Sequence, residues 1–599
     1  MKLPSNNIWR QVNQGDKFGD LWSSFNLDLT SKLGTLKISP RLLLNISTTD
    51  DAQLGAPPCA FKTFITTDTY IWAIAKAHMW HSAAAGSAGG PNDPFIQDAT
   101  GGTPTALNSN QSDMEVFQST LCVSGASTSM FLLSSSGTWS TLSNAFANSS
   151  GLHALTYFRA QNKLYGVDDN AAGISSLNKD LSTIVLSTSG AQYSLNDLVE
   201  GSGINVGSHI SCIDSNSFRI WIGTSNNSDS YCRIYAWDGS QASGPNESYF
   251  VDASGILAIE IIDDVPVAFD TKGRLLQFNG GTFKEIDRLP FEHEPLKILQ
   301  LASLNMVHYN GMTIIDGKLN ILLNTSLLDT NSTNKENIPS GIWEYTKETG
   351  LYHKASVGQT KSGGTIADYG QQKLSLVGAI SEIEISSSDI TQGSINGRYL
   401  VGCDYYTNAT STLSGIFYDD TNDTLQKYGY FVTKKIFSDN IQDTWQKIYL
   451  RIKKLLAATD QITVKYRTED EAPLEGTITW VNTSSFTTAM AISGYAVGDE
   501  VEILQGTGSG KSAHIVTIQA ADASSYIVTL DDIFTGVTTG TAKARFQTWK
   551  KAGSFTDQNS DIASVLLGVS SSWIQLKVCM QFTGKDEIND LILENVKHK

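Results

Sequence analysis

Leu257-Ala-Ile-Glu-Ile-Ile262, Asp263-Asp264, Val265-Pro-Val-Ala-Phe269, Asp270-Thr-Lys-Gly273, Arg274-Leu-Leu-Gln-Phe278, Asn279-Gly-Gly281 and Thr282-Phe-Lys-Glu-Ile286 form one continuous stretch. Apolar residues recur at every second position within each run, the period of a half-buried strand. The runs are too short for helices. Asp, Gly and Asn between them supply the backbone conformations of tight hairpins. Four short antiparallel strands in about thirty residues are the sequence signature of one unit of a radially repeated sheet.

The same grouping repeats on either side. Upstream the runs fall at 114–119, 120–124, 129–134 and 138–142, then at 153–160, 163–167, 173–177 and 183–186. A third group falls at 209–213, 218–223, 232–237 and 247–251. An aromatic before a polar turn, with another aromatic in the next run, marks the step from third to fourth strand. Trp237-Asp-Gly239 precedes Tyr249-Phe250, and Phe278-Asn-Gly-Gly281 precedes Phe283. Tyr345 to Gly350 before Tyr352, and Tyr418 to Asp423 before Tyr428, repeat it. These aromatics sit 41, 67 and 73 residues apart, so the later units carry inserted loops such as 329–340. A rougher group at 57–84, followed by a Gly/Ala/Ser-rich rim loop at 82–112, precedes the clear ones. The reading is all-β: a β-propeller over 57–430 with seven blades, six or eight being the alternatives. Residues 1–56 form an extension that closes or flanks it.

Beyond 430 the rhythm changes. Strict alternation at 445–453 and 462–467, and later at 546–550, 572–582 and 588–596, reads as a β-sandwich over 431–480 and 545–599. Its middle, 481–544, reads as a small inserted β-barrel with strands near 499–504, 513–518, 526–530 and 542–545. Domain insertion in a hairpin is tolerated because the inserted ends lie close together.

Composition fits this. The chain has 599 residues and 50 Gly but only 13 Pro and 17% charged residues, with a formal net charge of −17. Polyanion binders are normally basic, so gripping nucleic acid is not the expected task. Met1 to Trp22 has no apolar core of a secretory signal, and no run approaches the ~18 consecutive apolar residues of a membrane helix. The six cysteines are dispersed and read as buried thiols of a reducing compartment.

Four motifs invite chemistry. Gly506-Thr-Gly-Ser-Gly-Lys511-Ser512 mimics a phosphate loop, but Gln505 replaces its first glycine and a strand pattern follows where a helix N-terminus is required. His78 and His81 share a spacing suited to a helix face, yet lie in a strand pattern with no third ligand near. Asp419-Asp-Thr-Asn-Asp423 lacks the glycine and distal glutamate of a calcium loop. Ser134-Ser-Ser-Gly-Thr-Trp139 is similar to the Asp-box turn of sialidase-type propellers without its aspartate. No catalytic, cofactor-binding or metal-binding residue is therefore assigned, and no cofactor is expected.

One charge feature remains. Between Lys434 and Arg467 eight basic residues face only Asp439, Asp443 and Asp460, on an otherwise acidic chain. Lys447, Tyr449, Arg451 and Lys453 share one strand face, and Lys465 and Arg467 extend it on the next strand. This is the expected assembly interface, meeting acidic surface on another copy.

The opening Gly19-Asp-Leu-Trp-Ser-Ser-Phe-Asn-Leu-Asp-Leu-Thr-Ser-Lys-Leu-Gly-Thr-Leu-Lys-Ile-Ser-Pro-Arg41 resembles openings of tailed-phage virion proteins. With the propeller reading over 1–430, the chain resembles the tail nozzle (tail tubular protein B) class of short-tailed bacteriophages. Val497-Gly-Asp-Glu-Val501 to Gly510, in the inserted barrel, is similar to accessory domains of phage tail proteins. The resemblance implies a non-enzymatic subunit of an oligomeric tail ring, commonly six copies, located in the virion and assembled in the host cytoplasm. Neighbouring tail or adaptor proteins and tail fibres would be its partners. DNA would pass without sequence-specific binding. A receptor- or glycan-binding tail-tip protein using 82–112 and 329–340 is the alternative, and a glycan hydrolase the third reading.

Overall fold

The structure is a computed structural model of the whole chain. It describes all residues except 4–10, 12–20, 33–34, 40–41, 45–53, 67–68, 83–94, 99–100, 147–150, 170–178, 185–191, 195–207, 227–230, 240–246, 291–305, 325–338, 358–373, 383–398, 407–411, 420–427, 439–443, 453–454, 469–473, 509–511, 523–524, 535–538, 558–559, 583–586, 597–599 and scattered single positions. The described residues are almost entirely β, with one 3-10 turn at Arg159–Gln161.

Seven four-stranded antiparallel sheets lie in succession among the described residues. Sheets 1 to 6 span 60–97, 114–142, 155–194, 208–251, 256–288 and 312–355. Sheet 7 takes three strands from 374–419 and its fourth, Leu42–Leu44, from the N-terminal segment. Each sheet's first strand packs on the first strand of the next, and that of sheet 7 packs on sheet 1, so the cycle closes in a propeller-like ring. A separate apolar core fills each junction. Trp72, Leu121 and Trp139 join sheets 1 and 2, while Tyr165 and Trp237 fill the junction of sheets 3 and 4. Phe61, Ala379 and Leu400 complete the cycle between sheets 7 and 1. The Asn-Gly-type hairpins work as their residues dictate: Gly239 and Gly280 have φ of 71° and 92°, which β-carbon-bearing residues rarely adopt.

Two six-stranded sheets pack face to face as a sandwich. One is ordered Leu27–Asp28, Leu36–Ile38, Glu587–Val596, Thr444–Ile452 and Ile562–Ser570, with Lys2–Leu3 also paired to Glu587–Val596. The other is ordered Leu21–Phe25, Tyr428–Thr433, Trp573–Gln581, Gln461–Arg467 and Lys550–Phe555, with Ile436–Phe437 on Trp573–Gln581. Leu27, Trp445, Leu450, Val464, Leu576 and Leu591 are buried in its core. Between its strands is inserted a closed six-stranded barrel, from Leu474–Trp480 to Gly540–Gln547, around Trp480, Phe486, Val528 and Phe546.

The differences from the sequence reading are local. The 82–112 stretch holds the fourth strand of sheet 1, Phe95–Gln97, three residues among small ones. Lys179–Ile184 and Gln192–Ser194 are the last two strands of sheet 3, so the run expected at 183–186 falls at the end of the third strand; 173–177 lies outside the described residues. Tyr428 does not begin a fourth propeller strand. Tyr428–Thr433 enters the sandwich, opposite Leu21–Phe25 and Trp573–Gln581. The barrel begins earlier than residue 481, and the sandwich includes an unexpected strand, Ile562–Ser570.

Asn26 staples sandwich to ring. Its Oδ1 accepts from Ser356 N (2.7 Å) and Ser356 Oγ (2.9 Å), its Nδ2 donates to Tyr428 O (3.1 Å), and its N–H donates to His353 Nδ1 (3.0 Å). His353 stacks on Phe25 at 4.9 Å and meets Trp343 edge-on at 5.6 Å.

If the N-terminal strand closes the ring, trimming it will be felt globally. Leu42 is 2% exposed and packs with Leu322, Val401 and Phe417. Leu42→Ala is expected to lower the unfolding free energy by about 2–5 kcal/mol in urea titrations. A surface-like change of a few tenths would show that this strand is dispensable.

Candidate functional site

The strand Thr444–Ile452 alternates as expected: Ile448 and Leu450 point into the core, while Lys447, Tyr449 and Arg451 face outward. It is a central strand. Directly opposite lie Glu594 and Asp590 of the last strand, in register with Lys447 and Arg451. Tyr449 donates its hydroxyl to Glu594 (3.2 Å), Arg451 pairs with Asp590 (3.5 Å), and Lys447 Nζ lies 4.7 Å from the Tyr449 ring centre. The positive face is thus partly neutralised within its own sheet. On its other side runs the edge strand Ile562–Ser570, which contains no charged residue. Leu566 stands opposite Lys447 and is 76% exposed; Ile562 stands opposite Arg451 and is 53% exposed. Lys453 lies outside the described residues.

Lys465 and Arg467 do not extend this face. The barrel covers the far side of their strand, and they are 5% and 3% exposed. Lys465 Nζ pairs with Glu500 of the barrel. Arg467 donates to Gln575 Oε1 (2.7 Å) and lies 4.6 Å from the Trp549 ring centre. Lys577 sits 4.6 Å from the Tyr430 ring centre. Burial alone would raise the Glu500 pKa, but Lys465, Lys577 and His514 outweigh it and hold the carboxyl well below the ordinary range. His514 is kept below its usual pKa by burial first and by Lys465 next. These charges fasten barrel to sandwich within one chain. Strand alternation revealed that they share a face but not that another domain covers it.

The second candidate is the axis of the ring, which sequence reading missed. All seven first strands or their approaches line a cavity of about 230 Å³. Lys62, Asp113, Glu115, Asp214 and Glu260 reach into it. Lys62 donates to Glu115 Oε2 at 2.8 Å. Asp113 is held by Met114 N (2.8 Å), Leu155 N (2.9 Å) and Asn310 Nδ2 (2.8 Å). The segment leading into sheet 6 crosses the axis. His308 Nε2 meets Ser109 O at 3.0 Å, Tyr309 donates to Ser112 O at 2.6 Å, and Asn310 Nδ2 also donates to Cys59 O at 3.1 Å. Ile380 N donates to Asn310 O at 3.0 Å, so one short segment ties sheet 6 to sheets 1, 2 and 7. A histidine, a tyrosine and an asparagine before a glycine carry no sequence pattern that would announce such a plug.

The remaining motifs fall into structural roles. Gly506 ends one barrel strand and Ser512 begins the next, so the glycine-rich segment is a hairpin, with 509–511 outside the described residues. His78 and His81 share the strand His78–Ser82, where His81 packs on Tyr70 and Trp72. Asp419 ends a strand, and 420–423 lie outside the described residues. In the Ser134–Trp139 hairpin, Thr138 N donates to Ser134 Oγ (3.3 Å) and buried Trp139 donates Nε1–H to Asp98 (2.8 Å), joining sheets 1 and 2. Among the described residues no group of three His, Cys, Asp or Glu could hold a metal ion, and no helix is long and apolar enough to cross a membrane. All six cysteines are buried and free.

No protein-family model matches the chain, and no curated protein matches it. Among solved structures it is similar to Raptor of Chaetomium thermophilum, at 7% identity and a TM-score of 0.36 over 64% of this chain and 29% of that one. It is also similar to a chain of the mitotic checkpoint complex, at 9% identity and a TM-score of 0.34 over 63% and 94% of the two chains. The computationally designed Ika8 protein matches at 10% identity and a TM-score of 0.33 over 61% and 96%. The architecture described above rests on the chain's own strand pairing.

Breaking the buried Lys465–Glu500 pair should be far worse than removing both charges. Lys465→Met is expected to cost about 3–5 kcal/mol in chemical denaturation, and Lys465→Met with Glu500→Gln distinctly less. Equal losses from the single and double variants would show that the two charges are not coupled.

Proposed function

We propose that this chain is a seven-bladed β-propeller bearing a sandwich with an inserted barrel, and that it serves as a non-enzymatic subunit of an oligomeric ring in a bacteriophage tail, nozzle-like in role. The observation that carries the reading is the strand Ile562–Ser570, the outermost of its sheet among the described residues. It is uncharged, presents Leu566 and Ile562 to solvent, and lies beside Lys447 and Arg451. The strand has a bulge opposite Trp445–Lys447 but neither charge nor proline, which natural proteins otherwise place on such edges unless something covers them. The sandwich meets the ring at its opposite edges, where Leu21–Phe25 packs on the outer strand of sheet 6, while Ile562–Ser570 packs on Lys550–Phe555 of the facing sheet. An adjoining copy covering it fits a repeated assembly.

The conduit in such an assembly lies between copies. Each propeller's own axis is crossed by His308–Asn310 and holds only about 230 Å³. A net charge of −17 suits a wall that DNA passes without sticking, because net negative potential repels phosphates instead of releasing their counterions. The same cavity falls below the ~300–1,000 Å³ of typical small-molecule sites, which weighs against a hydrolase site at the propeller axis.

One observation favours receptor or glycan binding as the second reading. Phe218 and Phe250 are 67% and 57% exposed on sheet 4, and Phe250 stacks on Tyr231 at 5.3 Å. Solvent-facing aromatic rings are a common sugar platform.

Replacing Lys447, Arg451 and Lys453 by Glu, or Leu566 by Asp, is expected to shift the protein from rings to monomers at least tenfold in dissociation constant, read by mass photometry. Unchanged melting of the monomer keeps folding defects apart from assembly defects. Normal rings from both variants would remove this face from the interface.

A further inference from the structure

The axial cavity gathers charge in a place where charge is costly. Lys62 comes from sheet 1, Asp113 and Glu115 from sheet 2, Asp214 from sheet 4 and Glu260 from sheet 5; Tyr309 of the plug is the other titratable group facing them. The lining residues from sheets 3, 6 and 7 are uncharged. Lys62 is the one cation among the described lining residues, and it is engaged with Glu115. Asp113 has three donors. Asp214 accepts from Ser215 N at 2.7 Å and from the backbone N–H of Ile261. Four carboxyls and one ammonium cannot all be ionised in a small buried space without strong repulsion.

We propose that Asp214 and Glu260 form a proton-dependent lock at the hub of the ring: a proton retained on this pair holds sheets 4 and 5 against sheets 1 and 2, and its loss as the medium turns from mildly acidic to mildly alkaline loosens the axis. The carboxyl O–H bond breaks, its electron pair stays on the carboxylate, and the proton passes to solvent; no other bond changes. The geometry explains why the pair, and not its neighbours, is the switch. Glu115 is paired with Lys62 and Asp113 has three donors, so the least compensated carboxyls are those of sheets 4 and 5.

The electrostatics agree. Burial, with Glu115 nearby, pushes Asp214 up to about 7, and burial with Asp214 nearby pushes Glu260 well above the usual carboxylate range. Burial also raises Asp113 to about 6. Burial would lower the Lys62 pKa, but Glu115, Asp113 and Asp214 outweigh it and keep the ammonium charged. A carboxyl whose pKa is raised by folding stabilises the native state below its unfolded pKa, and that contribution is lost as pH rises through the folded value. For Asp214 the loss therefore runs from about pH 4 to about pH 7, and roughly a tenfold share of it is left to fall between pH 6 and 8. Buried histidines act in the other direction. Burial lowers His308 to about 4 and His353 to about 3, so their stabilisation is lost as pH falls below the ordinary histidine value. Comparing wild type with a variant at equal pH cancels the histidine contribution.

The test is urea unfolding of the wild type and of Asp214→Asn with Glu260→Gln, each at pH 6 and pH 8. Amides mimic the protonated pair, so the variant is expected to fold. From pH 6 to 8 the wild type's unfolding constant should rise about tenfold more than the variant's. The infrared carbonyl band of a protonated carboxylic acid should be present in wild type at pH 6, weaker at pH 8, and diminished in the variant. Identical pH dependence in the two proteins would overturn the lock. So would magnesium or calcium raising the wild-type midpoint at pH 8 without affecting the variant, since a cation would then do the proton's work.

Discussion

Three residues near the N-terminus hold the ring shut. Leu42, Leu43 and Leu44 pair with Asp419, Tyr418 and Phe417, completing sheet 7 with a strand from the opposite end of the ring-forming segment. A ring of sheets joined only by successive hairpins would leave its first and last members free to separate. Here separation requires breaking a ladder as well as the apolar cores on both sides of sheet 7. Because the strand just before it (Leu36–Ile38) lies in the sandwich, the same few residues tie ring closure to sandwich folding.

That constraint organises the rest of the molecule. Strands Leu21–Phe25 and Tyr428–Thr433 flank the ring in sequence and pair with each other, so the chain enters and leaves the ring through one sheet. The sandwich then needs partners on its other strands, and the C-terminal strands supply them, interrupted by the barrel. Charged side chains follow the same logic. Lys465, Arg467 and Lys577 lie under the barrel, where aromatic faces and Glu500 compensate their burial. What remains outside is a short row of basic residues beside an uncharged edge, and it is this contrast that directs the functional proposal toward assembly.

The local sequence announced most strands because alternation and tight turns are local properties. Sheets 4 and 5 were legible almost residue by residue, since Trp237-Asp-Gly239 and Phe278-Asn-Gly-Gly281 mark hairpins whose partners follow within a few residues. Pairing over long range was less legible. Tyr428–Thr433 has the composition of a closing propeller strand, and nothing within it says that Leu42–Leu44 has taken that place. Phe95–Gln97 was hidden because three residues are too few for periodicity. The charged face was half legible: alternation put Lys447, Tyr449 and Arg451 on one side correctly. The same alternation applied to Lys465 and Arg467 could not foresee the barrel above them. The axial charged groups come from four sheets, Lys62 and Glu260 lying 198 residues apart, and only the closed ring brings them together.

The most direct measurement of the central claim is electron microscopy of the purified full-length protein near physiological ionic strength. A closed ring, with sandwich edges meeting adjoining copies and a lumen between the propellers, is the predicted image. Dispersed monomers at assembly concentrations, or copies placed singly at the periphery of a tail, would contradict it.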